Sequence, residues 1–151
     1  MFGGRQQHPR FCEYSRHLYC STCHVGDRCI LPWAVLDAWD FRPRPVARAV
    51  HDYLDSIFDK PVLCVSGVNP GLYSRVALLA KVREARLRLA ELVARGGPAQ
   101  AKMSALLGSR GYLVENGEFF AMRELVDLSK GMFAELPRLL GAVEQRLRHR
   151  R

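Results

Sequence analysis

The sequence has no apolar run approaching the ~20 residues that a membrane-spanning helix needs. Its opening, MFGGRQQHPR, lacks the apolar core of an export signal, so residues 1–10 are expected to form a disordered leading segment. Cytoplasmic residence is the corresponding expectation, with cysteines kept reduced. Five cysteines, an odd number, do not make a disulfide framework. There is no Gly-rich phosphate loop, no Gly-x-Ser-x-Gly, and no pair of carboxylates in a catalytic setting. Nor is there an internal repeat or a low-complexity tract. These absences argue against an enzyme and leave a small protein, 151 residues long and 48% hydrophobic, able to build one ordinary domain or two small ones.

What the sequence does have is a cluster of metal-binding residue types near its start. Cys12, Cys20, Cys23 and His24 fall within thirteen residues, spaced C-x7-C-x2-C-H. The run CSTCH also fits c-type haem attachment and a dithiol redox motif. Covalent haem attachment belongs to exported compartments, and a redox dithiol opens a helix after a strand in a βαβ unit; neither context is present here. The residues between Cys12 and Cys20 suit two short strands joined by a tight turn, and the x2 spacing lets one turn present two thiols. Thiolate and imidazole are zinc ligands, so zinc is the cofactor expected. The count is awkward, because adjacent Cys23 and His24 do not readily aim at one tetrahedral centre. Cys29 could substitute as a ligand, and a set of unrelated buried thiols is the alternative. Cys64, in an apolar run, reads as core.

Beyond the cluster the pattern is helical. Pro32 suits a first helical position ahead of residues 33–39, and the prolines of 40–45 break that helix. A second amphipathic segment runs from Pro45 to Phe58 and ends at Pro61. Asn69-Pro70 predicts the start of the longest helix, continuing to Arg95 with an apolar stripe of Leu78, Val82, Ala85, Leu89 and Leu92. Its opposite side carries arginines, among them Arg83 and Arg86; these are candidate contacts for a partner, the alternative being a solvated face. A short helix over 99–107 and a hairpin about Asn116-Gly117 follow. Helices over 122–130, stopped by Gly131, and from Pro137 through Leu147 complete the chain. The expected fold is therefore mainly α, a helical bundle with a small, treble-clef-like and incomplete zinc-binding hairpin at its amino end.

Phe11-Cys12-Glu13-Tyr14, Tyr19-Cys20-Ser21-Thr22-Cys23-His24, Ile30-Leu31-Pro32 and Ala38-Trp39-Asp40-Phe41 occur in the order found in the Rubicon homology domain. So do Lys60-Pro61-Val62, Val68-Asn69-Pro70 with Leu72-Tyr73, and Glu124-Leu125-Val126-Asp127-Leu128. The chain resembles that domain, shared by Rubicon, Pacer and the pleckstrin-homology family M adaptors, from about Phe11 onward. The resemblance implies a non-enzymatic, zinc-stabilised module, with a zinc-binding hairpin over 11–31 and a helical part over 32–151. It implies binding of the GTP-loaded Rab GTPase of late endosomes and lysosomes, hence a peripheral location there in autophagy and endosome trafficking. It also implies Cys12, Cys20, Cys23 and His24 as metal ligands. Family members carry a further Cys-x-x-Cys before the position of Cys12 and a Cys/His-rich segment after the last helix. Neither is in this sequence, which reads as the domain truncated at both ends.

Charge supplies the rival reading. A net +8 and a pI near 9.7 suit an acidic protein, a membrane surface or nucleic acid. A basic zinc-containing nucleic-acid-binding module is the alternative function, though no aromatic platform interleaves the arginines as single-strand binding would require.

Overall fold

The computed structural model describes residues 8–94, 118–131 and 136–149, which form two units, Met1–Asp59 and Lys60–Arg151. In the first, β1 (Arg10–Cys12) and β2 (His17–Tyr19) make an antiparallel hairpin pairing Arg10 with Tyr19, Phe11 with Leu18 and Cys12 with His17. Its turn closes through the Arg16 N–H donating to the Cys12 carbonyl at 2.8 Å, with Arg16 left-handed at φ 60°. A second antiparallel pair joins β3 (Arg28–Cys29) to β4 (Arg44–Pro45).

Between those strands lies α1 (Pro32–Ala38), opened by proline at its first position, where a missing N–H costs nothing. It ends at Trp39, left-handed at φ 54°, whose N–H donates to the Val35 carbonyl. Asp40 then accepts a two-pronged ion pair from Arg42 and a third bond from Arg44, each near 3 Å. These bonds, Arg42's first, hold the Asp40 carboxyl far below the ordinary range and fix the loop into β4. The helix α2 (Arg48–Ser56) follows. Cys12, Leu31, Ala34, Val46, Ala47 and Leu54 make this unit's core, with Tyr14, Tyr19, Cys29, Val50 and Ile57 packed on it.

The second unit pairs β5 (Pro61–Cys64) antiparallel with β6 (Phe119–Ala121), across a slip in register between Pro61 and Leu63. Two one-turn helices, α3 (Val65–Val68) and α4 (Leu72–Arg75), lead into α5 (Ala77–Ala94). From β6 the chain enters α6 (Met122–Ser129), and α7 (Leu136–Arg148) packs along α5. At the start of α6 the Glu124 carboxylate accepts the Ala121 N–H at 2.8 Å. Alanine offers no acceptor in return, so only the glutamate half of a capping box exists. Gly131 ends the helix at φ 73°, where a side chain would be strained.

Three expectations are corrected here. The fold is mixed rather than a mainly α bundle: the described residues carry six short strands in three two-stranded sheets, one of them in the second unit. Strands of two to four residues are too short to show alternation, and β3–β4 and β5–β6 pair residues far apart in sequence. The treble-clef-like zinc element is likewise not what the hairpin forms, since the described residues contain no group of three or more His, Cys, Asp or Glu able to hold a metal. The long helix also starts later than predicted. Asn69-Pro70 opens the turn leading to α4, and extended Val76 (φ −118°) separates that turn from α5. The predicted helix over 99–107 and the Asn116-Gly117 turn lie outside the described residues.

Candidate functional site

The four predicted ligands occupy three different settings. Cys12 ends β1 and is buried. Burial pushes its thiol up, and hydrogen bonds from Ser15 and from the Ala47 and Tyr14 backbone outweigh that and leave it lowered. His24 is also buried, at 2% exposure. Its Nε2 lies 3.1 Å from the Phe11 carbonyl, and its Nδ1 lies 3.2 Å from the Gly26 N–H. A carbonyl only accepts, so Nε2 carries the proton and Nδ1 receives the Gly26 bond. Both ring nitrogens are thus spent on backbone, and His24 ties β1 to the turn after the Cys-x-x-Cys pair. The Arg10 guanidinium adds a bond to the His24 carbonyl at 3.2 Å.

Cys20 and Cys23 are exposed and face one another across a turn in which the Cys23 and His24 N–H groups both donate to the Cys20 carbonyl. Thr22 Oγ1 sits 3.0 Å from the Cys20 sulfur. Hydrogen bonds from Thr22 and Cys23 lower the Cys20 thiol to about 7, and its bond and charge raise Cys23 in turn. One turn thus presents both thiols, as the x2 spacing led us to expect, and the pairing makes one of them acidic. Cys29 lies on the core side; burial first, then Asp27, Asp55 and Cys12, push its thiol up. The structure thus brings Cys20 together with Cys23, and sets Cys12 and His24 apart from them. Among the described residues, Cys20 and Cys23 are the two thiols placed to hold a zinc ion together.

The loop bearing these residues is held by backbone. The Arg48 N–H donates to the Cys23 carbonyl at 2.8 Å, Val46 to Asp27 at 2.8 Å, and Glu13 to Pro45 at 3.0 Å. The start of α2 thereby holds the Cys-x-x-Cys turn in place.

The second unit contains a polar cluster that sequence reasoning missed. On α5 the buried stripe is Leu79, Val82, Ala85, Arg86 and Leu89, so an arginine occupies a core position and Leu79 replaces the predicted Leu78. Arg86 is fully buried; its guanidinium donates to the Phe119 carbonyl at 2.9 Å and lies 4.7 Å from the Phe120 ring centre. Arg83 stacks over Tyr73 at 4.5 Å and reaches Glu118 at 3.4 Å, while the Ser66 hydroxyl donates to the other Glu118 oxygen. The Ser66 bond first, then Arg83 and Arg86, hold the Glu118 carboxyl below its usual range against burial. Burial, followed by the Glu118 charge, pushes the Tyr73 phenol up to about 12. The expectation of Arg83 and Arg86 as exposed partner contacts is therefore corrected: Arg86 is interior, and Arg83 is committed to Glu118 and Tyr73. Both belong to the clamp between α5 and β6. The spacing of Arg86 within the row Leu79, Val82, Leu89 was the available sign, masked by reading every arginine as solvated.

Charge divides unequally between the units. Residues 60–151 hold 16 Lys and Arg against 8 Asp and Glu, whereas residues 1–59 hold seven of each. The whole +8 surplus thus belongs to the second unit.

Comparison with known proteins agrees with this arrangement of motifs. The chain is 29% identical over 134 residues to the Drosophila melanogaster "Differentially expressed in FDCP 8 homolog", covering 84% of this chain and 27% of that protein. It is 29% identical over 136 residues to the Xenopus laevis "Pleckstrin homology domain-containing family M member 3", covering 87% of this chain and 18% of that protein. The chain thus spans 27% and 18% of the length of these two relatives. The family model of the Rubicon Homology Domain matches residues 10–149, nearly the full length, and the chain belongs to that family.

Proposed function

We propose that this chain is a protein-interaction module that binds a Rab-family small GTPase of late endosomes and lysosomes in its GTP form. In that role it would place its parent protein in autophagy and endosome trafficking. The observation that carries the reading is the family match over residues 10–149, and the likeness to adaptor-type relatives supports it. Among the described residues no helix is long and apolar enough to cross a membrane, in keeping with peripheral recruitment by a partner.

The contact surface we assign on α5 is the face carrying Glu84, Leu87, Arg88 and Glu91. These residues recur at helical spacing and all are exposed; Arg88 marks the edge nearest α7, where it reaches Glu144 at 3.8 Å, and Leu87 offers an apolar centre in a charged rim. Zinc belongs to the proposal through Cys20 and Cys23, the two thiols already side by side. In the Rab-binding protein, Cys12 and His24 would complete the shell only by leaving their present partners. Bound zinc would staple the hairpin.

The test is capture of the chain on the GTPase loaded with a non-hydrolysable GTP analogue or with GDP. Retention with the first and not the second supports the reading; equal retention, or none, sinks it. Leu87→Asp is expected to abolish capture while leaving the circular dichroism spectrum unchanged. The charge surplus of the second unit favours a second reading, nucleic-acid binding. That predicts affinity for a random duplex falling steeply between 50 and 200 mM salt, by about tenfold or more.

A further inference from the structure

The outer face of the β1–β2 hairpin has no role in the GTPase reading, and its composition is unusual for a surface. Cys12 turns inward to the core, so the neighbouring cross-strand pair, Phe11 and Leu18, turns out. They stand side by side, 48% and 65% exposed. Val25 is also exposed. It follows His24, whose ring is bonded to the Phe11 carbonyl and whose own carbonyl is bonded to Arg10, so Val25 stands close beside the base of β1. At the other end Arg16, in the hairpin turn, lies over the half-exposed Trp33 ring at 5.2 Å.

The cations around this apolar set are Arg10 and Arg16, both exposed. Residues 8–26 contain a single carboxylate, Glu13, which accepts an ion pair from Arg44 at 3.5 Å. The hairpin thus shows apolar tips, an aromatic ring and guanidinium groups, with its one acid already neutralised. That this local charge is positive is informative, because the unit as a whole is neutral. Arginines flanking exposed Phe, Leu and Trp side chains are suited to a negatively charged lipid interface, where side chains enter the acyl boundary and guanidinium groups meet headgroups.

We propose that the β1–β2 hairpin docks on an anionic lipid surface, inserting Phe11 and Leu18 with Arg10 and Arg16 at the headgroup level. The occupant is the lipid surface itself, and this second contact is independent of the GTPase reading. A single small insertion gives weak, reversible attachment, so the hairpin would add to recruitment by a partner rather than replace it.

The test is sedimentation of the whole chain, without any GTPase, with phosphatidylcholine vesicles that contain or lack about one-third phosphatidylserine. Binding is expected with the anionic vesicles only, weakening as salt rises. Leu18→Asp, at the most exposed position, is expected to weaken it about tenfold or more. Phe11→Ser offers a second variant at an exposed position. Each variant is checked by circular dichroism. No sedimentation with anionic vesicles overturns the proposal, as does undiminished binding by both folded variants. Loss of GTPase capture by Leu18→Asp with vesicle binding intact would assign the face to a protein partner and also overturn it. Vesicle binding that persists when GTPase capture fails separates this inference from the functional reading.

Discussion

Replacing Arg86 by alanine removes a buried guanidinium, a hydrogen bond and a stretch of packed side chain in one step. The Phe119 carbonyl, bonded at 2.9 Å, would lose that partner, a cost of about 1–3 kcal/mol. The stacking on Phe120 contributes about 0.5–2 kcal/mol, and the buried methylenes of the stem about 2 kcal/mol more. Relief of the guanidinium's own desolvation offsets part of this, and Glu118 loses one of its cations. The net expectation is about 3 kcal/mol of destabilisation. For a unit of this size that lowers the melting temperature by roughly 10–20 °C. The assay is thermal and urea unfolding followed by far-ultraviolet circular dichroism, beside Arg86→Met, which keeps the stem, and Arg86→Lys, which keeps the charge without the planar fork. Both should fall between wild type and alanine. A loss under about 0.5 kcal/mol for Arg86→Ala would refute the interior role assigned to this residue.

Four further expectations follow from the same structure. The Glu118 carboxyl is held below its unfolded value, so its contribution to stability is present above about pH 4.3 and is lost as pH falls through the lower folded value; Glu118→Gln should flatten the acid limb of the stability–pH curve, measured by urea midpoints. Leu31→Ala should cost about 2–4 kcal/mol in the first unit, and because both tryptophans, Trp33 and Trp39, lie there, the shift should appear in tryptophan fluorescence. In the metal-free chain, Cys20 should be alkylated ahead of Cys12 and Cys29, being exposed and lowered to about 7, as peptide mapping by mass spectrometry would show; added zinc should slow that reaction if the two thiols grip the ion. Gly131→Ala should cost about 1 kcal/mol in thermal melts through its positive φ alone, since its added carbon meets nothing within 4 Å.

The parts of the fold that could be read from sequence are those set by local chemistry. Pro32 opens α1, Gly131 closes α6, and the aromatic run between Cys12 and Cys20 folds back on itself as a hairpin. What could not be read depends on contacts distant in sequence. The pairing of Cys64 with Phe119 crosses more than fifty residues, and neither strand is long enough to declare itself. Arg86 entered the core because a carbonyl on β6 and the Phe120 ring await it there, a partnership absent from the periodicity of α5 alone. The candidate site divides in the same way. The spacing of Cys20 and Cys23 foretold their meeting, whereas the commitment of both His24 nitrogens to Phe11 and Gly26 is a matter of tertiary packing.

A guanidinium does not shed its proton at any pH a cell reaches, so the positive charge inside the second unit is permanent. A lysine in the same place could go neutral and tolerate the loss of its counter-ion; Arg86 has no such escape. Sequence drift is constrained accordingly. A substitution at position 118 that discards the carboxylate takes the ion-pair partner from Arg83 and leaves the interior cation less well balanced, and a substitution at position 86 takes a nearby positive charge from Glu118 and the donor from the Phe119 carbonyl. The two positions, one on a helix and one beside a strand, are therefore expected to change together or not at all across relatives of this chain.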